Sequence, residues 1–373
     1  MSERGGAESK TSSGSDRSAT RGFVRNPFHR DFKRTVRRDL EEIYGFYVDE
    51  DDRARLAQMR KLRRSILLVV WLLKSLFRKL SPVRRTLLMI SLICLYLGDF
   101  SFEHGNFHIF FNFYIPSILI LLWIVMLELK DKLVVREEME IGRAVQLALL
   151  PDDNPAVGGW GIWMMSRPAN DVGGDLADYM RLDGGRLGLS LGDVTGKGLG
   201  AALLMGKLQA TIRAIAPDFL SLAELGARIN RIFCRDCDPT RFATLVYAEL
   251  TEDLGLLRIL NAGHPPPVVV RAAGVEVLSP EAPPIGMLPD ALFVEQHLEL
   301  QPGDMVLFYS DGLTEARDRD GIFFGEERLY ALLPALRSVP VEDAGVRIVE
   351  QVDRFIGDAR ASDDLTVILL QRL

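Results

Sequence analysis

Hydrophobic and polar positions divide the chain of 373 residues into a front part with long apolar runs and a back part with short ones. From Trp160 onward, short β-branched and apolar runs predict strands, and longer amphipathic stretches predict helices. The predicted strands are Gly161–Ser166, Leu187–Asp193, Ala243–Leu250, Leu256–Asn261, Val268–Arg271 and Met305–Ser310. The predicted helices are Gly198–Ile215, Ser221–Cys234, Leu329–Leu336 and Val341–Ile356. Strand pairs joined by short turns, with helices in adjacent blocks, favour an α+β domain over a parallel α/β sheet.

The front part contains two long apolar runs separated by an acidic turn. Phe107–Leu127 is 21 residues without Asp, Glu, Lys or Arg, which is enough to span the hydrocarbon core of a bilayer. The earlier run, Thr86–Gly98, is shorter and reaches spanning length only if the residues from Asp99 onward are included. Basic residues flank both outer ends, so the positive-inside rule predicts a transmembrane helical hairpin over residues 86–128 with both ends in the cytoplasm. The alternative is a buried helical hairpin of a soluble sensor domain.

Charge is distributed unevenly along the chain. Residues 1–85 hold 21 Lys and Arg against 11 Asp and Glu, a net charge of +10; the whole chain is −6, so residues 86–373 carry −16. A basic front part predicts contact with an anionic surface, and we expect this surface to be a membrane and not nucleic acid. Residues 1–60 are predicted to be a basic, largely disordered segment. Residues 61–80 are predicted to form an interfacial helix lying in the membrane plane, with a partner-binding helix or a third span as the alternatives.

A helical pattern connects the second apolar run to the strand-rich part. Within Leu129–Leu149, apolar residues alternate with charged ones at helical spacing, which predicts an amphipathic linker helix over residues 129–150. The apolar positions are Leu133, Val134, Ile141, Val145, Leu147 and Leu149. Such a helix is either a spacer or a signalling element that pairs two protomers. We expect a homodimer formed through this linker helix.

Four acidic islands carry the candidate chemistry of the back part. They lie at Val172–Asp175, Gly192–Gly198, Ser310–Gly312 and Ser362–Thr366, and each places an Asp beside Gly or another small residue. An Asp beside Gly at a strand end lets the backbone turn and present a carboxylate to a cleft. A single Asp-Gly pair is usually only a turn. Several converging carboxylates without Cys or His instead form an oxygen-only site, which suits Mg²⁺ or Mn²⁺ rather than zinc.

The order and surroundings of these islands resemble the bacterial SpoIIE-like branch of the metal-dependent (PPM, type 2C-like) serine/threonine protein phosphatases. The resemblance covers roughly residues 138–373, and Ser310–Ala316 is its most specific string. Further matching strings are Leu147–Pro151, Arg241–Tyr247, Asn261–Pro266 and Pro284–Met287. The resemblance implies that residues 151–373 form a PPM-type αββα sandwich, in which two packed antiparallel sheets are flanked by helices.

The resemblance also implies a site for two ions, Mn²⁺ or Mg²⁺, that activate water for attack on a phosphomonoester. The implied metal ligands are Asp175, Asp193, Val194, Asp311 and Asp363. Asp193 would bridge the two ions, and Asp193 and Asp311 are the expected catalytic residues. Asp175 and the Val194 carbonyl would act on the first ion, Asp175 directly or through water. Asp311 and Asp363 would complete the second, and Asp363 is favoured over Asp364 because it precedes Asp-Leu-Thr as the family's ligand does.

Three positions depart from the family's pattern. Thr195–Lys197 stands where the eukaryotic branch has a His shortly after the bridging Asp, so the leaving-group proton must have another source. The eukaryotic phosphate-binding Arg has no secure counterpart, with Arg167 as a guess. Leu176 and Ala177 replace two aromatic residues of many relatives. Lys197 is a candidate phosphate contact at a helix N-terminus, whereas His264 is expected to be a turn residue rather than a catalyst.

The implied enzyme sits at the bacterial inner membrane with its phosphatase domain in the cytoplasm. Its expected substrate is a small phosphorylated regulatory protein, such as an anti-sigma-factor antagonist. One alternative is a non-catalytic PPM-fold binding module, although all the core carboxylates are present. Another is a diguanylate-cyclase-like enzyme, suggested by Gly173-Gly174-Asp175, which leaves Asp193, Asp311 and Asp363 unexplained.

Overall fold

The structure is a computed structural model that describes residues 70–71, 74–75, 77–104 and 107–373, apart from 152, 171, 239, 253–254, 281 and 360. The chain divides into two compact units, Met1–Leu129 and Lys130–Leu373. The predictions for residues 1–60 and for most of 61–80 therefore lie outside the described residues.

Helices and one small sheet form the described part of the first unit. Helix α1 spans Pro82–Leu97, strand β1 spans Asp99–His104 and strand β2 spans Phe107–Asn112. Helix α2 begins at Tyr114 and continues past the unit boundary to Leu149. Ser81 begins α1 as its N-cap, since its side chain accepts the Arg84 N–H at 3.5 Å.

Helices α1 and α2 run antiparallel within this unit. Ser91 and Ser117 are both buried, and each hydroxyl lies within 3.1 Å of the other residue's carbonyl oxygen. At the far end of the pair, Arg84 contacts Glu128 at 2.8 Å. Most apolar side chains of both helices are exposed, including Ile93, Leu95, Ile118, Leu122, Trp123 and Val125.

The apolar stretch Phe107–Leu127 is not one continuous helix, which differs from the prediction. Its first part, to Asn112, pairs with β1 as an antiparallel strand. The Asn112 side chain then accepts the Ile115 N–H at 3.2 Å, which satisfies one of the donors that a helix leaves open at its start. By length and composition, the described helices offer one candidate membrane span, Leu199–Asp218, and this segment packs in the core of the second unit.

Two five-stranded antiparallel sheets make up the centre of the second unit. The strands of the first sheet are β4 Leu176–Leu182, β5 Arg186–Val194, β6 Ala243–Thr251, β7 Leu256–Ala262 and β10 Glu295–Glu299. The strands of the second are β3 Trp160–Arg167, β8 Val268–Arg271, β9 Gly274–Val277, β11 Met305–Tyr309 and β12 Leu365–Arg372. The strand order is β10-β7-β6-β5-β4 in the first sheet and β3-β12-β11-β8-β9 in the second.

Helices cover both outer faces of the paired sheets. They are α3 Leu199–Ile215, α4 Leu222–Asp236, α5 Asp311–Thr314, α6 Gly325–Leu332 and α7 Val341–Ile356. One apolar core joins α3 and α4 to the first sheet, a second joins α6 and α7 to the second sheet, and a third lies between the sheets. The predicted αββα sandwich is confirmed.

Burial on both faces explains the sequences of the central strands. Leu187, Leu189 and Leu191 of β5 point into the core between the sheets, whereas Tyr247 of the adjacent strand packs in the core beneath α3 and α4. Strands covered on both faces read as nearly continuous apolar runs. The polar residues that follow these runs are consequently concentrated at the strand ends, which is where the acidic islands lie.

Candidate active site

The four acidic islands meet at one edge of the two sheets. Asp175 directly precedes β4 and Asp193 lies near the end of β5, and these strands pair with Leu176 opposite Gly192. In the other sheet, Asp311 follows β11 and Asp363 precedes β12. The structure therefore brings all four predicted carboxylates to the same region of the domain.

The Asp193 carboxylate and the Val194 carbonyl face a common space beside Gly174. A Cβ atom at position 174 would lie 3.1 Å from Asp193 Oδ1 and 3.3 Å from the Val194 carbonyl oxygen. Any side chain there would crowd both oxygens, so the second Gly of the Gly-Gly-Asp string keeps that space open. Two oxygens that share one open space can act on one cation.

Asp311 is fixed by the packing of its neighbours against the start of β12. The Ser310 hydroxyl donates to the Asp364 carbonyl oxygen at 3.1 Å and accepts the Thr366 N–H at 3.0 Å. A Cβ at Gly312 would lie 1.9 Å from the Asp364 carbonyl oxygen. Only Gly fits this contact, which explains the Asp-Gly pair as a close backbone approach and not merely a turn.

Asp363 and Asp364 are adjacent but have different surroundings. The Asp364 carboxylate is buried and accepts the Gly174 N–H at 2.6 Å and the Ala169 N–H at 2.8 Å. Asp363 is partly exposed and lies 3.2 Å from Lys197 Nζ. Asp364 therefore holds the Gly-Gly-Asp loop, and Asp363 is left facing the cleft.

Burial and mutual repulsion raise the carboxylate pKa values at this edge. Burial raises the pKa of Asp193 to about 7, and the nearby charges of Asp311, Asp363 and Asp364 add to the effect. Burial also raises the pKa of Asp175 well above its usual range. The pKa of Asp311 is raised by burial and then by repulsion from Asp363. Carboxylates that hinder one another's ionisation in this way would be stabilised by a cation between them.

The residues present fit divalent cations. The donors are all oxygens, and the buried Asp175 Oδ2 has no hydrogen-bond partner among the residues that the structure describes. An unpaired carboxylate oxygen of this kind is costly unless a cation or donor satisfies it. Among the described residues, however, no three His, Cys, Asp or Glu side chains are drawn together into a closed ligand cluster. The carboxylates are gathered around the cleft and would need to close around an ion.

Two cationic side chains, Lys197 and Arg241, lie beside the cleft, and a third, Arg167, makes its hydrogen bonds with helix α7. Lys197, just before α3, lines the cleft with Asp193 and Asp363. Arg241, which the sequence analysis did not single out, donates from Nη1 to the Thr195 carbonyl oxygen at 3.3 Å. The guanidinium of Arg167 instead contacts Asp353 of α7 at 2.5 and 3.0 Å. Arg167 also lines a pocket with Asp363, and its contact with phosphate stays a prediction.

His264 connects the two sheets behind the carboxylates, a role that its position in a turn motif did not reveal. Its Nε2 lies 3.2 Å from the Tyr309 carbonyl oxygen and its Nδ1 lies 2.8 Å from Thr244 Oγ1. The carbonyl can only accept, so Nε2 carries the proton and the Thr244 hydroxyl donates to Nδ1. Thr244 Oγ1 in turn accepts the Asp193 N–H at 3.3 Å. Because His264 is fully buried, its pKa is lowered to about 3 and the ring is neutral.

Comparisons with known proteins agree with this architecture. Residues 183–373 match the family model described as Stage II sporulation protein E (SpoIIE). The chain is 30% identical to Protein IcfG of Synechocystis over 275 residues, which is 66% of this chain and 43% of IcfG. It is 26% identical to the phosphoserine phosphatase RsbU of Bacillus subtilis over 240 residues, covering 64% of this chain and 71% of RsbU. The chain thus spans less than half the length of IcfG.

A solved structure has a similar fold. The SiaA-PP2C domain of Pseudomonas aeruginosa superposes with a TM-score of 0.58 at 20% identity, over 65% of this chain and 98% of that domain. The αββα sandwich is therefore a PP2C-like fold. The family match covers more than half of the residues, and the chain belongs to the SpoIIE family of PP2C-type phosphatases.

Proposed function

We propose that this chain is a membrane-anchored, metal-dependent phosphatase that hydrolyses phosphoserine or phosphothreonine on a small regulatory protein. One observation carries the catalytic part of the proposal. Asp193 of the first sheet lines one cleft with Asp363 and Asp364 of the second. The pKa values of Asp175, Asp193 and Asp311 are raised. Such a concentration of desolvated negative charge disfavours the folded state and is characteristic of a site that works with cations bound.

The residue roles are those that the family resemblance implies. Asp193 would contribute to both ions, the Val194 carbonyl and Asp175 to the first, and Asp311 and Asp363 to the second. When bound, two Mn²⁺ or Mg²⁺ ions would supply an activated water and neutralise the charge of the phosphoryl group. The protein's part is to hold these oxygens in place, and Gly174 keeps the space beside Asp193 free of side-chain atoms.

Other polar groups near the cleft have supporting roles in this proposal. Lys197 stands beside Asp363 with its side chain largely exposed, where its charge lowers the repulsion that an incoming phosphate meets. His264 is not the proton donor to the leaving group, because it is buried and neutral. Instead it holds Thr244, and through Thr244 the backbone of Asp193.

The substrate proposal rests on the relatives. RsbU is named a phosphoserine phosphatase, and the chain shares the family and fold of that protein. We therefore assign a phosphorylated regulatory protein of the anti-sigma-factor-antagonist type as substrate. Lys197 at the rim, together with bound cations, would offset the repulsion between the acidic cleft and a phosphorylated side chain that reaches inward from a protein surface.

The membrane anchor is proposed on the surfaces of α1 and α2. Their exposed side chains are largely aliphatic or aromatic, and Trp123 and Leu122 are each more than half exposed. A helical pair that shows so much apolar surface needs a partner or a bilayer to cover it. Basic residues on the outer flanks, including Arg84, Arg85 and Lys132, support the proposal that both ends face the cytoplasmic side of the bacterial inner membrane.

A homodimer through the linker helix is the last part of the proposal. Leu133, Ile141 and Val145 of this helix are each more than half exposed. Pairing with the same face of a second protomer would bury them. Light scattering on the purified chain tests this directly, since a monomeric mass that persists at all protein concentrations would contradict the dimer.

Phosphate release tests the catalytic proposal. Purified full-length chain with Mn²⁺ should release phosphate from a phosphoserine-containing regulatory protein, and chelator should abolish the release. A non-catalytic binding module would bind the phosphoprotein and release no phosphate.

A further inference from the structure

The hydrogen bonds at the end of strand β5 depart from the regular pattern of a sheet. The pairing of β5 with β6 ends with Val194 opposite Ala243, so Thr195 and Phe242 face each other at the next position. The Thr195 N–H donates to the Phe242 carbonyl oxygen at 3.0 Å. In a regular antiparallel pair, the Phe242 N–H would donate to the Thr195 carbonyl oxygen in return. Here it donates to the Thr195 hydroxyl instead, at 3.1 Å.

The Thr195 hydroxyl therefore takes the place of its own carbonyl in the pairing. The same hydroxyl donates to the Phe242 carbonyl oxygen at 3.1 Å, so it acts as donor and as acceptor toward one backbone residue. The Thr195 carbonyl oxygen accepts a hydrogen bond from Nη1 of Arg241 at 3.3 Å. Every polar atom of Thr195 is thus bonded to Arg241 or Phe242, which fixes the residue that follows Val194.

The peptide group between Val194 and Thr195 contains the carbonyl oxygen that is a candidate metal ligand. This peptide group is trans, so it is planar and its C=O and N–H point in opposite directions. Because the Thr195 N–H points at Phe242 in β6, the Val194 carbonyl points away from β6. Gly174 lies on that side, where a Cβ atom would be 3.3 Å from the Val194 oxygen. The bonds between Thr195 and Phe242 therefore set the direction of the Val194 carbonyl.

From these contacts we infer that Thr195 is a positioning residue that aims the Val194 carbonyl at the metal site. Without the hydroxyl, the Phe242 N–H loses its acceptor, and the Thr195 N–H alone holds the peptide group against rotation on the side of β6. The carbonyl then spends less time directed toward Gly174, and a cation binds more weakly. The inference rests on the proposed function and deepens it by naming a side chain that prepares the site for ions without contacting them.

Two control variants separate this role from ordinary packing. Thr195→Ser keeps the hydroxyl and loses only the methyl group, so it should keep the hydrogen bonds to Phe242. Thr211 of α3 has the same side chain and is also half-buried, and its hydroxyl donates to the Lys207 carbonyl oxygen at 2.8 Å within the helix. Thr211 is not among the residues that line the cleft. Thr211→Val therefore removes an equivalent hydroxyl away from the carboxylates.

The test measures Mn²⁺ binding to the full-length chain by the electron paramagnetic resonance signal of free Mn²⁺, together with thermal unfolding and steady-state kinetics. Thr195→Val, which has nearly the same shape and no hydroxyl, should weaken Mn²⁺ binding about tenfold or more, the range seen when groups behind metal ligands are removed. Its kcat should recover toward the wild-type value at saturating Mn²⁺, and KM for the phosphoprotein should stay unchanged. Thr195→Ser and Thr211→Val should each bind Mn²⁺ within about twofold of wild type.

Equal Mn²⁺ affinity of Thr195→Val and wild type would overturn the inference, as would equal weakening in Thr195→Val and either control. If Thr195→Val does not fold, Thr195→Ala takes its place, since it removes the hydroxyl without placing a methyl group against the Phe242 N–H and should also weaken Mn²⁺ binding. Wild-type chain that binds Mn²⁺ but releases no phosphate contradicts the proposed function alone, and the affinity comparison still decides the role of Thr195. Wild-type chain that binds no Mn²⁺ contradicts both.

Discussion

The backbone N–H of Gly174 donates a 2.6 Å hydrogen bond to the carboxylate of Asp364, although 190 positions separate the two residues in the sequence. This bond joins the loop before β4 in one sheet to the start of β12 in the other. The carboxylates of Asp175 and Asp363 are next to the two bonded residues. The contact therefore helps to set the distance between two candidate ligands that belong to different sheets.

The first prediction separates the two adjacent aspartates. Asp363→Asn should lower kcat by several orders of magnitude and leave the unfolding temperature unchanged, because Asp363 faces the cleft beside Lys197. Asp364→Asn should have a smaller effect on kcat but lower the unfolding free energy by about 1–3 kcal/mol, since one of two backbone N–H donors loses its charged acceptor. Kinetics and thermal unfolding of both variants are the measurements. The opposite pattern would exchange the two roles.

The second prediction concerns the close approach at Gly312. Gly312→Ala places a methyl group against the Asp364 carbonyl oxygen, where 1.9 Å is available. Overpacking of this kind costs about 2–3 kcal/mol, which should lower the unfolding temperature by roughly 4–10 °C for a domain of this size. Gly200→Ala is the control, because the nearest atoms to its new methyl group are 3.9 Å away. An equal fall in unfolding temperature in Gly312→Ala and Gly200→Ala would contradict the close contact between Gly312 and the Asp364 carbonyl oxygen.

The sequence pattern predicted an α+β domain and the family resemblance implied the sandwich, but not all of its strands were predicted. Central strands such as β5 and β11 are apolar because both faces are covered, and local pattern is enough to find them. Strand β4 contains Asp178 and Arg181, and Asp178 is buried only because Arg213 of α3 contacts it at 2.6 Å. Arg213 is distant from Asp178 in the sequence, so no local pattern predicts this contact.

The candidate site was likewise predictable only in part. Asp beside Gly marked the places where the chain turns, and all four islands do meet. What distinguishes Asp363 from Asp364, or makes Thr244 part of the site, is the geometry of neighbouring segments. Asp364 and Thr244 contact backbone groups far away in the sequence, and no local pattern predicts such partners.

The third prediction is a pH dependence of stability in chelator. The folded-state pKa of Asp193 is about 7, above its ordinary value of 3.8, and those of Asp175 and Asp311 are raised as well. The folded chain therefore binds protons more tightly than the unfolded chain between these values. The contribution is favourable below pH about 4 and is lost as pH rises to about 7. The unfolding temperature of wild type should fall relative to that of Asp193→Asn over this window. If the difference in unfolding temperature between wild type and Asp193→Asn does not vary with pH, the prediction is contradicted.

The fourth prediction concerns topology. In a variant whose three native cysteines are replaced, Ser101→Cys in β1 should react with a membrane-impermeant maleimide in intact cells. Glu327→Cys, on the exposed surface of α6, should react only after the cells are permeabilised. These results follow if both ends of the α1–α2 pair face the cytoplasm. Labelling of Glu327→Cys in intact cells would reject that orientation.

The most direct measurement of the central claim is phosphate release from a phosphoserine protein as a function of Mn²⁺ concentration. Release by the wild-type chain should saturate with Mn²⁺ and disappear with chelator. Asp193→Asn and Asp311→Asn should each lose several orders of magnitude in kcat while they keep the wild-type circular dichroism spectrum. Full activity in either folded variant, or undiminished release in chelator, would contradict a carboxylate-held metal site at the shared edge of the two sheets.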